Sequence, residues 1–196
     1  DEAISSARTA VRLAPGNRGY SLLLADALSA AGHPDQALAV LGTLPDPDRY
    51  DVVSRRAVAE AALENWTAAA SAYRQAGLVA PNETDRATAV AGEIRATAAA
   101  GDKAAAVRLF DEANADGALA PLSDLDRAYI AANVGRDAAA LAAFDAAREA
   151  GKVHGTVNFD AAYAAKHAFQ NADAVGYFKS GIDDAVAAGQ DINDPT

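Results

Sequence analysis

Residues 132–147 read ANVGRDAAALAAFDAA, and this stretch decides the fold. Gly135 is followed five residues later by Ala140, which is followed by Phe144 and then by Ala147. This spacing places the two alanines and the phenylalanine on one face of a helix. The glycine before them can adopt the left-handed backbone that a tight turn between helices requires. The stretch therefore predicts the turn and second helix of a helical hairpin.

The same pattern recurs along the chain with a nearly constant period. The first alanine of each copy stands at position 3, 37, 69, 106, 140 or 174, and the spacings are 34, 32, 37, 34 and 34 residues. Turn glycines precede three of the copies, at Gly32, Gly101 and Gly135, whereas the copy at position 69 has Glu64-Asn65-Trp66 instead. Phased copies at this period predict an array of stacked hairpins.

The pattern G-(D/R)-x-x-x-A-x-x-x-(F/Y)-x-x-A resembles the second half of a tetratricopeptide repeat, and Pro15 and Pro81 match its closing proline. The resemblance implies an all-α fold, namely a right-handed superhelix (an α-solenoid) of about five repeats plus a leading helix. We expect helices at residues 2–13, 18–31, 34–43, 48–63, 67–78, 83–100, 103–115, 122–134, 137–150, 156–169 and 172–188.

The repeats predict one domain over residues 1–189, because each hairpin buries its apolar face only against the next one. Residues 190–196 are expected to form a C-terminal linker. The chain opens on a lone second helix at residues 2–13, begins with Asp1 and contains no methionine. We therefore expect this array to be a piece cut from a longer one.

Composition excludes several classes of function. More than a quarter of the residues are alanine, which favours closely packed helices. The net charge of -10 makes nucleic acids and anionic membranes poor partners, since both would be repelled. The chain has no cysteine, and it has no apolar run long enough for a membrane span.

Catalysis and metal binding are not expected. His33, His154 and His167 are the only histidines, and they fall in different repeats. A metal site needs ligands that converge within a few ångströms, and the chain lacks the sequence motifs of nucleotide-binding loops, serine hydrolases and zinc proteases. The prediction is a protein that is not an enzyme and that carries neither metal nor cofactor.

The resemblance also implies where a partner binds, because the first helices of tetratricopeptide repeats line the concave surface. In four of the repeats, the residue eleven positions before the second-helix alanine is Asp26, Arg95, Tyr129 or Tyr163. Helical spacing adds Leu22, Arg55, Val58, Leu125, Asn133, Phe159, Lys166 and His167. Exposed tyrosines would suit peptide side chains or sugar rings; the alternative is that the tyrosines only pack between neighbouring repeats. The Lys and Asn clamp by which some members of the family grip a C-terminal carboxylate is absent.

A narrower resemblance comes from the last repeat. The segments NFDAAYAAK at 158–166 and AVGYFKSGID at 174–183 resemble the end of the periplasmic repeat region in the bacteriophage N4 adsorption protein A family. That family is similar to the outer-membrane exporters of bacterial exopolysaccharides. The resemblance implies a periplasmic scaffold that binds protein partners, with a polysaccharide as a further ligand. The alternative is a generic soluble adaptor, cytoplasmic or periplasmic, that binds peptides or assembles a multiprotein complex.

Overall fold

The computed structural model describes residues 2–189, which form α-helices joined by short turns and contain no β-strand. The helices are α1 Glu2–Leu13, α2 Arg18–Ala30, α3 Pro34–Leu41, α4 Tyr50–Ala62, α5 Trp66–Val79, α6 Glu83–Ala99, α7 Lys103–Ala115, α8 Asp124–Asn133, α9 Asp137–Glu149, α10 Thr156–His167 and α11 Asn171–Ala187. The all-α prediction is confirmed, and each predicted helix is present with its ends within two residues. The predicted linker at 190–196 lies outside the described residues.

The helices belong to two compact units. Unit 1 is Asp1–Pro121 and contains α1 to α7, and unit 2 is Leu122–Thr196 and contains α8 to α11. Within each unit, every helix packs against the next one along the chain. In unit 1 the first helices α2 and α4 also touch each other, as stacked hairpins require.

Small residues form the contacts between the helices. The second-helix alanines Ala37, Ala69, Ala106 and Ala140 are fully buried, and Ala174 is 5% exposed. An alanine brings two backbones close without leaving a void, which explains the regular spacing of this residue. Ala3, which heads the first copy, is exposed instead, because α1 has no first helix before it within residues 2–189.

The five turns between first and second helices share one backbone conformation. Gly32, Gly101 and Gly135 have φ values of 78°, 93° and 73°, as the turn pattern predicts. The equivalent positions in the other two hairpins hold Glu64 and Phe169, whose φ values are 58° and 60°. The fold therefore imposes the left-handed turn even where no glycine is present, at a cost in backbone strain.

Helix starts follow the polar residues of the sequence. The side chain of Asp102 accepts a hydrogen bond of 2.9 Å from the Ala105 amide and thereby caps α7. Asp35 and Asp137 lie in the first turns of α3 and α9, where the helix dipole favours negative charge. The start of α10 is held differently: Asp184 on α11 accepts hydrogen bonds from the Gly155 amide at 2.8 Å and from Nδ2 of the buried Asn158 at 2.9 Å.

The last described helix, α11, has one buried side and one exposed apolar side. Tyr177 is fully buried. Val175, Ile182 and Val186 are 67%, 43% and 55% exposed, and their spacing places them on the same side of the helix. We refer to these three residues as the α11 stripe.

Candidate functional site

Each unit has its own candidate site, which consists of the exposed side chains of its first helices: α2, α4 and α6 in unit 1, and α8 and α10 in unit 2. We call these side chains the first-helix surface of that unit. It includes the position eleven residues before each second-helix alanine. The structure places the eight predicted site residues on four helices: Asp26 on α2, Arg95 on α6, Tyr129 and Asn133 on α8, and Phe159, Tyr163, Lys166 and His167 on α10. All are exposed except Phe159, which is half-buried.

In unit 1, Asp26 is engaged by an arginine of the next first helix. Nε and Nη2 of Arg55 donate to the two carboxylate oxygens of Asp26 at 2.7 and 2.9 Å. The same guanidinium donates to the Asp51 carbonyl at 2.7 Å, which fixes its orientation. This two-point contact joins α2 to α4. Asp26 is therefore one half of an ion pair rather than a free carboxylate.

The other exposed groups of this surface in unit 1 are of mixed character. Val58 on α4 is 51% exposed and Leu23 on α2 is 55% exposed. Arg95 on α6 has no ion-pair partner within residues 2–189 and lies close enough to Tyr73 for its charge to oppose the rise that burial causes in the tyrosine's pKa. Asp26 and Arg95 do not meet, because α4 follows α2 and precedes α6. Together, these first-helix residues of unit 1 thus present one cation and two apolar side chains.

In unit 2, Tyr129 has both a packing contact and a polar contact. Its ring meets Phe144 edge to face, with centroids 5.4 Å apart and planes at 87°. Its hydroxyl donates a hydrogen bond of 2.8 Å to Oδ2 of Asp160 on α10. Burial and this carboxylate together raise the pKa of Tyr129 to about 12. Although its ring is 40% exposed, Tyr129 holds two successive first helices together.

Tyr163 repeats the ring packing of Tyr129 but not its hydrogen bond. Its ring meets Phe178 at 5.6 Å and 81°, and the residue is 54% exposed. Its hydroxyl has no hydrogen-bond partner within residues 2–189. Phe159 instead serves packing, since its ring lies 6.2 Å from that of Phe178 and presses against Gly181. Tyr163 is therefore the aromatic residue of this surface that is most available to a ligand.

Polar groups border the tyrosines near the C-terminal ends of the two helices. Asn133 on α8 and His167 on α10 stand four residues after Tyr129 and Tyr163 respectively, so each lies one turn further along the same face. Nδ1 of His167 lies 4.0 Å from Oδ1 of Asp137. Lys166 is exposed beside it. All six predicted residues on α8 and α10 therefore belong to unit 2, and within residues 2–189 the structure gives no hydrogen bond, ion pair or ring contact that joins any two of them.

Sequence reasoning missed Asp160, the acceptor for Tyr129. A signal was available: Asp160 and Asp126 stand at the same place in two repeats, one helical turn before Tyr163 and Tyr129. It also missed Asp51, which pairs with Arg18 across α4 and α2. Burial alone would raise the pKa of Asp51, but the hydrogen bond and charge of Arg18 outweigh burial and lower it.

Two further classes of site, a metal centre and a membrane span, have no candidate within residues 2–189. No three His, Cys, Asp or Glu side chains come close enough together to hold a metal ion there. None of the helices in that range is both long and apolar enough to span a bilayer.

Comparison with known families gives one match. Residues 1–59 match the family model described as tetratricopeptide repeat. No protein among the curated ones matches the chain. The matched range covers α1 to α3 and most of α4, and its hairpin α2–α3 has the same turn geometry as the later hairpins. Residues 1–59 are thus similar in sequence to tetratricopeptide repeats, and the turns of the later hairpins repeat the backbone geometry of the matched one.

Proposed function

We propose that the chain is a non-catalytic scaffold that binds a protein or peptide partner along its first-helix surface. One contrast carries the proposal. The position twelve residues before each second-helix alanine is buried in all five hairpins, at Ala25, Ala57, Ile94, Ala128 and Ala162. The very next position is exposed in all five hairpins. It holds four different residue types, namely Asp26, Val58, Arg95 and the two tyrosines Tyr129 and Tyr163.

This contrast supports a binding role because burial restricts the residue type at the first of the two positions and leaves the second free to vary. The residues at the buried position are all apolar, whereas the exposed ones are varied and present a charge, a branched aliphatic group or an aromatic ring. Such variety suits recognition of a polypeptide, whose side chains also vary along its length. Tetratricopeptide repeats are protein-binding scaffolds in general, and the family match agrees with this use.

Tyr163 is proposed as the main contact of unit 2. Its ring is held by Phe178, so it loses little conformational freedom when a ligand binds. Its free hydroxyl can donate to a carbonyl or carboxylate of the ligand. Tyr129 contributes its ring only, since its hydroxyl is already bonded to Asp160.

We also propose a cellular setting, which is supported by the sequence resemblance of residues 158–183. The chain would act in the periplasm as a module of an outer-membrane exopolysaccharide-export or phage-adsorption protein. A polysaccharide would then be a further ligand, since tyrosine rings stack on sugars as well as on peptide side chains. The alternative is a generic adaptor that binds peptides or assembles a multiprotein complex.

The test is affinity capture with the purified chain from periplasmic and cytoplasmic extracts, read by mass spectrometry. Tyr163→Ala should reduce recovery of the specific partner at least fivefold, which corresponds to about 1 kcal/mol. Leu78→Ala is the matched control, because Leu78 is 81% exposed on the second helix α5. If the folded Tyr163→Ala and Val58→Asp variants each recovered the partner as fully as the wild type does, the proposal that the first-helix surface binds it would be contradicted. Partners from the cytoplasmic extract alone would contradict the periplasmic setting.

A further inference from the structure

Unit 1 contains an open groove between two of its second helices, α5 and α7. The groove has a volume of about 540 Å³, which lies within the range of small-ligand sites. Ala70 on α5 and Ala105 and Leu109 on α7 provide its apolar lining. Arg74, Arg108 and Glu112 stand among the polar groups around them. No member of the first-helix surface lines this groove.

The corresponding place in unit 2, between α9 and α11, is filled by a tyrosine. Tyr177 on α11 is fully buried, and its hydroxyl donates to Oδ1 of Asp145 on α9 at 2.7 Å. The guanidinium of Arg148, also on α9, lies 4.4 Å from the centre of the tyrosine ring. One aromatic ring with a cation on its face therefore closes the space between these two second helices.

The repeat pattern shows why the groove in unit 1 stays open. Tyr177 follows the second-helix alanine by three residues, and the same position in α7 holds Leu109, which is half-buried. The place of Arg148 is taken in α5 by Gly77, eight residues after Ala69. Both the ring and the arginine that close the unit 2 groove are thus missing from α7 and α5.

We propose that the groove between α5 and α7 binds an aromatic side chain of a partner protein. The ring would lie on Ala70, Ala105 and Leu109, in the space that Tyr177 occupies between its own helices. Arg108 would supply the cation on the ring face, since it is exposed and has no ion-pair partner within residues 2–189.

The rest of the rim suits this ligand. Nε of Arg74 donates to Oε1 of Glu93 at 2.7 Å, and Glu93 is only 8% exposed, so this side of the groove is held in place. A tyrosine hydroxyl would find an acceptor in Glu112. The inference goes beyond the proposed function, because it assigns a second binding place on the second helices.

The test is an NMR titration of the full chain with N-acetyl-tyrosinamide, with N-acetyl-leucinamide as the non-aromatic comparison. The tyrosine compound should shift the amide resonances of Ala70, Arg74, Ala105 and Leu109, and it should bind at least fivefold more tightly than the leucine compound. Arg108→Ala should weaken binding two- to fivefold, as loss of an exposed cation–π contact does. Arg86→Ala, an exposed arginine outside the groove, is its control and should change nothing.

A filling variant gives the second arm. Leu109→Tyr introduces at this position the residue type that Tyr177 provides in unit 2. Its ring should occupy the groove and reduce the affinity for the tyrosine compound at least tenfold. Leu78→Tyr is the matched control. The proposal would be overturned if the leucine compound bound the wild type as tightly as the tyrosine compound does. It would also be overturned if the tyrosine compound bound folded Leu109→Tyr as tightly as the wild type. If circular dichroism shows that Leu109→Tyr does not fold, the arginine variants decide: equal affinity of Arg108→Ala and Arg86→Ala for the tyrosine compound overturns the proposal. Tyr163→Ala must leave the titration unchanged, which separates this inference from the first-helix surface.

Discussion

The hydroxyl of Tyr129 donates a hydrogen bond of 2.8 Å to Asp160 and thereby links the first helices α8 and α10. Tyr163 occupies the equivalent place in the next hairpin and packs its ring in the same way, but its hydroxyl has no acceptor within residues 2–189. Two residues of one type at one repeat position therefore have different roles. One stabilises the stack, and the other is free to contact a ligand.

The Tyr129 contact predicts a loss of stability at alkaline pH. The folded-state pKa of Tyr129 is raised to about 12, above the value of about 10 expected in the unfolded chain. Its contribution is therefore complete below pH 10 and is lost as the pH rises towards 12, since the unfolded state releases the proton first. Urea unfolding between pH 8 and pH 11.5 measures this. Tyr129→Phe should show a shallower decline than the wild type above pH 10, and parallel declines would contradict the assignment.

Ala140→Asp should destabilise the protein severely. Ala140 is fully buried at the contact between helices, where a carboxylate has no partner, so we expect a loss of about 3 to 5 kcal/mol in the free energy of unfolding. Ala138→Asp is the control, because Ala138 is exposed in the first turn of α9 and an acid there is tolerated. Equal unfolding midpoints in urea for the two variants would refute the assignment of the repeat positions.

Gly92→Ala and Gly176→Ala should have opposite effects although both glycines are inside helices. A Cβ at Gly92 would overlap the ring of Tyr73, so the ring must move, and we expect a loss of about 1 to 3 kcal/mol in the free energy of unfolding. A Cβ at Gly176 meets nothing within 4 Å, and replacing a helical glycine there should add about 0.5 to 1 kcal/mol. Chemical denaturation of both variants checks the contrast, and a stabilised Gly92→Ala would show that the ring yields freely.

Phe169→Gly should stabilise the protein. Phe169 has a φ of 60° in the turn before α11 and is 91% exposed, so the substitution relieves backbone strain and removes little packing. Because glycine also gains freedom in the unfolded chain, the net gain should be about 0.5 to 1 kcal/mol. Phe169→Ala keeps the strain and serves as the control. If both variants melt at the same temperature, strain at this turn is negligible.

Asp184→Ala should weaken unit 2. It removes the acceptor of the Gly155 amide and of the Asn158 side chain, and Asn158 is only 2% exposed. A buried donor left without a partner costs about 1 to 3 kcal/mol. The neighbouring Asp183 is exposed, and Asp183→Ala should change the free energy of unfolding by less than about 0.5 kcal/mol. Hydrogen exchange at the start of α10 would locate the effect.

The helices were predictable because local signals repeat. Three independent signals mark the same helix ends: apolar spacing such as that of Ala140 and Phe144, the turn glycines, and the acidic residues at helix starts. Where one signal is weak, the other two still locate the helix end. The turn at Phe169 shows the limit of such signals. An aromatic residue gives no local indication of a left-handed backbone, and only its place in the repeat, shared with Gly135, reveals it.

The candidate site was predictable in position but not in role. Repeat spacing alone assigns Tyr129 and Tyr163 to equivalent positions of two first helices, and both are exposed in the structure. It does not indicate that Asp160 accepts a hydrogen bond from only one of them, because that contact joins helices separated by a whole second helix. The packing role of Phe159 was missed for the same reason, since it depends on Phe178 and on the absent side chain of Gly181.

The α11 stripe has a consequence for how the protein behaves in concentrated solution. At pH 7 the net charge of -10 makes copies of the chain repel one another, which keeps their exposed apolar side chains apart. The repulsion vanishes near the isoelectric point of about 4.6, where Val175, Ile182 and Val186 of different molecules are free to associate. Turbidity should therefore rise first in mildly acidic buffers, and high salt, which screens charge, should widen the pH range over which it occurs.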